Sequence, residues 1–328
     1  MINNSKFSEH LPERFGFKEG AEEFPLMIMV TMSNVCNSRC IHCPFSMDSS
    51  LRKREDAKWM SSDLFRKIIN ECAHYKAFIR VTGTGEPFMQ PDLPDLLIEA
   101  KEKGVKCGCI TNGSLLTPDK SKRLIDRGVD VIEISVDAMD ELTYSEIRHG
   151  LNFATLLKNI DYMVSYKKKI NSPTCILASI VENPDKIDVK AVEEFWRGIG
   201  VDNVIIRKYL TYGTLDKNVY SKETYLPPEK RVPCPYPFER MVILAGGEVT
   251  FCNFDVKDGY FMGNINEQSI KEVWNGEAFK EWRNIILTGK YEEMPLCSKC
   301  EDWKYKSWKH NFFKVMKNAG GQLNVNRE

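Results

Sequence analysis

Leu26 to Phe45 reads LMIMVTMSNVCNSRCIHCPF. Its first half is a short apolar run of strand length. The run passes straight into a loop that carries Cys36, Cys40 and Cys43 in the spacing CxxxCxxC. Three thiols packed into eight residues directly after a first strand stand where barrel enzymes collect their chemistry, on the loops that follow strand C-termini.

Downstream, the same kind of apolar run alternates with helical periodicity as far as residue 209, the pattern of repeated β-α units on a parallel sheet. The runs predict strands at Leu26–Thr31, Phe78–Thr82, Val105–Thr111, Val131–Val136, Thr174–Val181 and Val204–Tyr209. Helices are predicted at Ser62–His74, Leu93–Lys103, Pro118–Arg127, Phe153–Lys168 and Lys186–Gly198, with Gly104, Gly128 and Gly200 placed to end three of them. Six such units make an α/β fold, a partial (β/α)6 TIM-like barrel with a wide lateral mouth, since eight strands are expected for a closed one. The expected organisation is a short extension (1–24), the barrel (25–209), a proline-rich linker (210–233), a small cysteine-bearing domain (234–310) and a polar tail (311–328). In the small domain a hairpin is predicted from Met241–Leu244 and Val249–Phe251, followed by one helix over Ile270–Ile286.

Lysine plus arginine equals aspartate plus glutamate at 46 each in 328 residues, so no global field draws the chain to nucleic acid. No apolar run reaches the roughly 20 residues of a membrane span, and the opening residues lack a signal core, which predicts a cytoplasmic protein. Eleven cysteines, an odd number clustered without a secretion signal, favour metal ligation over disulfides.

Ligand number separates two sites. Cys36, Cys40 and Cys43 satisfy three irons of a [4Fe-4S] cluster and leave the fourth open to a small chelating ligand; a zinc site needs a fourth ligand, which only His42 offers, from an awkward place between two cysteines. Cys234, Cys252, Cys297 and Cys300 fill a cluster completely, and structural zinc has the same ligand inventory. Cys72, Cys107, Cys109 and Cys175 read first as buried core thiols, and Trp274, Trp282, Trp303 and Trp308 as core or interface aromatics.

CNSRCIHC at 36–43, GTGEP at 83–87, Thr111-Asn112-Gly113 and Ser135-Val136-Asp137-Ala138 occur in an order that resembles the radical S-adenosylmethionine (SAM) superfamily. The resemblance implies SAM chelated to the open iron, with His42 near the adenine. Gly83, Gly85 and Glu86 would meet its amino group, and Asn112, Ser135, Asp137 and Arg148 would lie around its carboxylate and ribose. Thr84 departs from the usual glycine. The stretch from Cys234 through the final CxxC is similar to SPASM and twitch auxiliary-cluster regions. It stops at Cys300, as in the shorter one-cluster form found in aminocyclitol-alcohol dehydrogenases.

Two [4Fe-4S] clusters, one SAM-binding and one auxiliary, are thus implied, together with an electron donor such as flavodoxin or ferredoxin. The implied reaction is hydrogen-atom abstraction from a sugar or aminocyclitol alcohol. The short extension favours a small molecule over a peptide. Rival readings are a peptide-modifying maturase, a radical epimerase using a thiol such as Cys109 or Cys175, and a non-catalytic iron-sulfur or zinc redox or scaffold protein. Arg207, Tyr209, Glu239 and Asp255 are candidates for a base or orienting cation, with nothing to choose among them.

Overall fold

The computed structural model describes residues 21–47, 58–183, 185–207, 209, 231, 234, 236–255 and 259–300. Residues 1–20, the linker apart from Arg231, the tail, Trp303 and Trp308 lie outside the described residues.

Six parallel strands pair in chain order: β1 (Met27–Thr31), β3 (Phe78–Thr82), β4 (Cys107–Thr111), β5 (Val131–Ser135), β7 (Cys175–Val181) and β8 (Asn203–Arg207). Between them, β2 (Arg39–Cys40) and β6 (Arg148–His149) form a separate antiparallel ribbon that sequence periodicity is too short to reveal. Helices α1 (Pro44–Met47), α2 (Ser62–Tyr75), α3 (Leu93–Glu102), α4 (Pro118–Asp126), α5 (Glu141–Ile147), α6 (Phe153–Ile170) and α7 (Val189–Ile199) fill the connections. Ser61, Thr117, Asn152 and Asp188 start four of them by accepting a backbone N–H from the first turn.

The two faces of the sheet carry separate cores. Ile28, Val30, Ile79, Val81, Ile132 and Ile134 pack with helix residues such as Phe65, Ile68 and Leu97. Met27, Met29, Phe78, Val131, Cys175, Leu177, Ile205 and Val242 form a second core without any helix residue, the inner filling of the open barrel. Alternation along each strand therefore aims Arg80, Glu133 and Arg207 inward.

The small domain is joined to the barrel more closely than its sequence suggests. Strand β9 (Arg240–Ile243), preceded by α8 (Tyr236–Glu239), pairs parallel with β1, and β10 (Glu248–Thr250) and β11 (Phe261–Asn264) continue outward, so one nine-stranded sheet runs through both. The single helix expected over 270–286 is two, α9 (Ile270–Trp274) and α10 (Glu277–Thr288), followed by α11 (Pro295–Lys299). Gly276 takes extended backbone at the break (ψ 164°), and the turn lets Trp274 and Phe279 meet ring to ring at 5.0 Å. Both Trp274 and Trp282 are buried. Among the described residues no helix is long and apolar enough to cross a membrane.

Candidate active site

β1 delivers the cysteine loop to the C-terminal mouth of the barrel, and the ribbon β2–β6 pins it there. In that ribbon Cys40 lies opposite Arg148 and Arg39 opposite His149. Arg148 Nη1 donates to Cys40 Sγ at 3.6 Å, Ser38 Oγ is 3.2 Å from the same sulfur, and Ser38 Oγ also donates to the His149 carbonyl. Arg148 is buried and its Nη2 lies 2.5 Å from Asp137 Oδ2. Asp137 adopts a left-handed backbone (φ 54°), which turns its carboxylate back so that Oδ1 also accepts from the Val181 N–H.

His42 Nε2 is 3.6 Å from Asp137 Oδ2, too long for a hydrogen bond. Burial lowers the His42 pKa to about 4, with the Arg148 charge adding to the effect and Asp137 offsetting part of it, so the imidazole is neutral near pH 7. Its ring stands edge-on to the buried Tyr209 at 6.5 Å.

The GTGEP turn lies beneath this loop. A Cβ on Gly83 (φ +125°) would stand 2.8 Å from Thr31 Cβ, and one on Gly85 2.5 Å from the Ser33 carbonyl oxygen. Replacing Gly85 by alanine is therefore expected to displace the cysteine loop and cost about 1–3 kcal/mol, read as a lower denaturant midpoint together with reduced iron incorporation.

Glu86 is buried, and its carboxylate accepts from Thr111 Oγ1 (2.6 Å), the Asn112 N–H (2.8 Å) and the Phe88 N–H (3.1 Å). Burial raises its pKa, against these hydrogen bonds and the Arg148 charge. Three donors leave one of the roughly four acceptor positions of a carboxylate for an incoming ammonium. Asn112 Nδ2 in turn donates to Asn37 Oδ1, tying the β4 loop to the cysteine loop. Ser135 closes β5 half-buried, in register with Ser179.

Below the mouth, Glu133 is fully buried between two guanidiniums. Arg80 Nη2 donates to Oε2 at 3.0 Å, and Arg207 pairs with Oε1. Burial alone would raise the Glu133 pKa, but Arg207 and Arg80 outweigh it and hold the carboxyl below its usual range. Glu239 pairs with Arg240, yet burial still raises its pKa to about 7.

Of the other candidates, Asp255 accepts from the Gly259 and Tyr260 N–H groups and from Thr250 Oγ1, three residues on from Cys252. Cys109 packs on the helix-facing side of β4, away from the barrel interior. Cys175 faces inward but opens β7, a seven-residue strand, and so sits roughly 20 Å from the mouth. The structure places neither thiol at the mouth.

At the second site the thiols of Cys234, Cys297 and Cys300 all act on Cys252, whose pKa rises chiefly through burial and further through these neighbours. Cys297, in the short helix α11, is raised to about 11 by burial, and its carbonyl accepts from Arg231 Nη2 at 2.9 Å.

Among the described residues no three histidine, cysteine or acidic side chains converge on a point that would hold a single metal ion. The fit to a cluster rests on the chemistry of the donor sets: three cysteines on one loop, one of them facing a guanidinium suited to a thiolate, and four free thiols in the small domain. An open parallel barrel with a three-thiol loop at its mouth, and four further thiols in the small domain, has the donor inventory of an iron-sulfur protein.

Residues 30–190 match the Radical SAM superfamily and residues 234–301 an iron-sulfur cluster-binding domain, SPASM. The chain belongs to the radical SAM superfamily, with a C-terminal SPASM region. Its cofactors are accordingly SAM, a [4Fe-4S] cluster and auxiliary iron-sulfur binding.

A Pyrococcus furiosus tungsten-containing aldehyde ferredoxin oxidoreductase cofactor-modifying protein is 22% identical over 83% of this chain and 86% of its own length. Among solved structures, BtrN in complex with AdoMet and 2-DOIA matches 87% of this chain and 96% of its own, with a TM-score of 0.57 and 19% identity. Streptococcus suis SuiB bound to precursor peptide SuiA matches 88% and 75%, with a TM-score of 0.65 and 16% identity.

Proposed function

We propose that this radical SAM enzyme oxidises the secondary alcohol of a sugar or aminocyclitol, with the four-cysteine centre accepting an electron. The observation that carries the reading is the second donor set, the free thiols of Cys234, Cys252, Cys297 and Cys300, three of which act electrostatically on the fourth. Four thiolates complete a cluster and leave no iron for substrate, which suits electron transfer. BtrN, solved with AdoMet and 2-DOIA, gives the reading further support.

Reductive cleavage of bound SAM supplies a 5'-deoxyadenosyl radical. The chain's own residues position and exclude water. Cys36, Cys40 and Cys43 would hold the open cluster, and Glu86 would offer its remaining acceptor position to the SAM ammonium. His42, Asn112, Ser135, Asp137 and Arg148 surround the same mouth. Arg207, half exposed above Glu133, would orient substrate hydroxyls. Conversion to the ketone balances when the carbinol carbon loses a hydrogen atom, the hydroxyl a proton and the substrate one further electron. A ferredoxin or flavodoxin would provide the initiating electron.

Anaerobically reconstituted protein given reductant, SAM and candidate polyols should release 5'-deoxyadenosine and a product lighter by two hydrogens. A product altered only in stereochemistry, or a modified peptide with every polyol untouched, would overturn the dehydrogenase reading.

A further inference from the structure

Arg148 lies among the groups that the superfamily resemblance brings to SAM, yet its surroundings connect it to the cluster loop itself. The β2–β6 register sets it directly across from Cys40, 108 residues away in the chain, and one arm of its guanidinium reaches the cysteine sulfur at 3.6 Å. The other arm is held by Asp137 at 2.5 Å. All three side chains are buried, so water and salt screen the contact little.

We propose that Arg148 is a positioning residue for the iron-sulfur centre: it holds the Cys40 sulfur with a charge-assisted hydrogen bond and raises the reduction potential of the open cluster, while Asp137 limits that effect. The inference rests on reading Cys36, Cys40 and Cys43 as cluster ligands. Reduction adds one negative charge to a cluster, and a fixed cation donating to a ligand sulfur stabilises that charge. A carboxylate against the same guanidinium works the other way.

The test is an EPR-monitored redox titration of the reconstituted protein without SAM, with the open cluster identified separately by the change SAM brings to its signal. At the wild-type midpoint, Arg148→Gln should lower the reduced-to-oxidised ratio about tenfold, a shift of about 59 mV for a one-electron couple. Asp137→Asn should shift the midpoint upward, and Arg148→Lys should recover part of the loss. Asparagine tolerates the left-handed backbone of position 137, so this arm stands even if Arg148→Gln fails to fold. The auxiliary cluster should keep its midpoint in every variant, a control for folding.

Opposite shifts from the two substitutions are not what a merely structural role produces. If the Arg148 variants titrate like wild type, or if Asp137→Asn moves the midpoint downward, the assignment to Arg148 is overturned. Cluster iron that survives alanine at Cys36, Cys40 and Cys43 overturns the ligand reading as well, whereas iron lost with those cysteines alongside an unmoved midpoint sinks only the role of Arg148.

Discussion

Replacing Cys36, Cys40 and Cys43 together by alanine is expected to remove about four of about eight irons and to bring SAM cleavage below detection. Replacing Cys234, Cys252, Cys297 and Cys300 should remove the other half while SAM is still cleaved. The asymmetry follows from ligand number. Three thiolates leave an iron that a small chelating ligand can occupy, and four do not. Iron and sulfide content with 5'-deoxyadenosine release measure both halves. Unchanged iron in the three-cysteine variant would remove the basis for the whole site.

Glu133→Gln is expected to destabilise the fold by about 3–5 kcal/mol at neutral pH, because it leaves the buried guanidinium of Arg80 without its counter-charge and facing the half-exposed one of Arg207. The measurement is urea unfolding of the reconstituted protein, where the midpoint should fall with little change in slope. The pH dependence has a definite sign. The Glu133 carboxyl is held below its usual range in the fold, so its contribution is complete above the unfolded value of about 4.3 and fades as pH falls through the folded value. Wild type and variant should therefore converge in acid below about pH 4. A variant as stable as wild type at neutral pH would show that the Arg80–Glu133–Arg207 cluster is not a coupled unit.

Much of this was legible in the chain. All six barrel strands lie within about two residues of their predicted spans, because each is an apolar run long enough for its period to be read. The five longer helices follow for the same reason, and Gly104, Gly128 and Gly200 adopt the left-handed backbone expected of them. The inward charges carry a readable signal: Arg80 in FIRVT, Glu133 in VIEIS and Arg207 in NVIIR are charged side chains set in otherwise apolar strands. The two-residue ribbon strands had no such signal, since two residues carry no period.

By itself, the sequence determined what depends on neighbours along the chain: the alternation of strands and helices, the caps, and the thiol spacing that separates a three-ligand loop from a four-ligand set. Only the tertiary structure decided which distant groups meet. It set Arg148 across from Cys40, closed Glu133 between Arg80 and Arg207, and laid the C-terminal hairpin along β1. The physical reason is that side-chain period gives the face a residue presents, whereas strand order, register and the pairing of buried charges choose its partner.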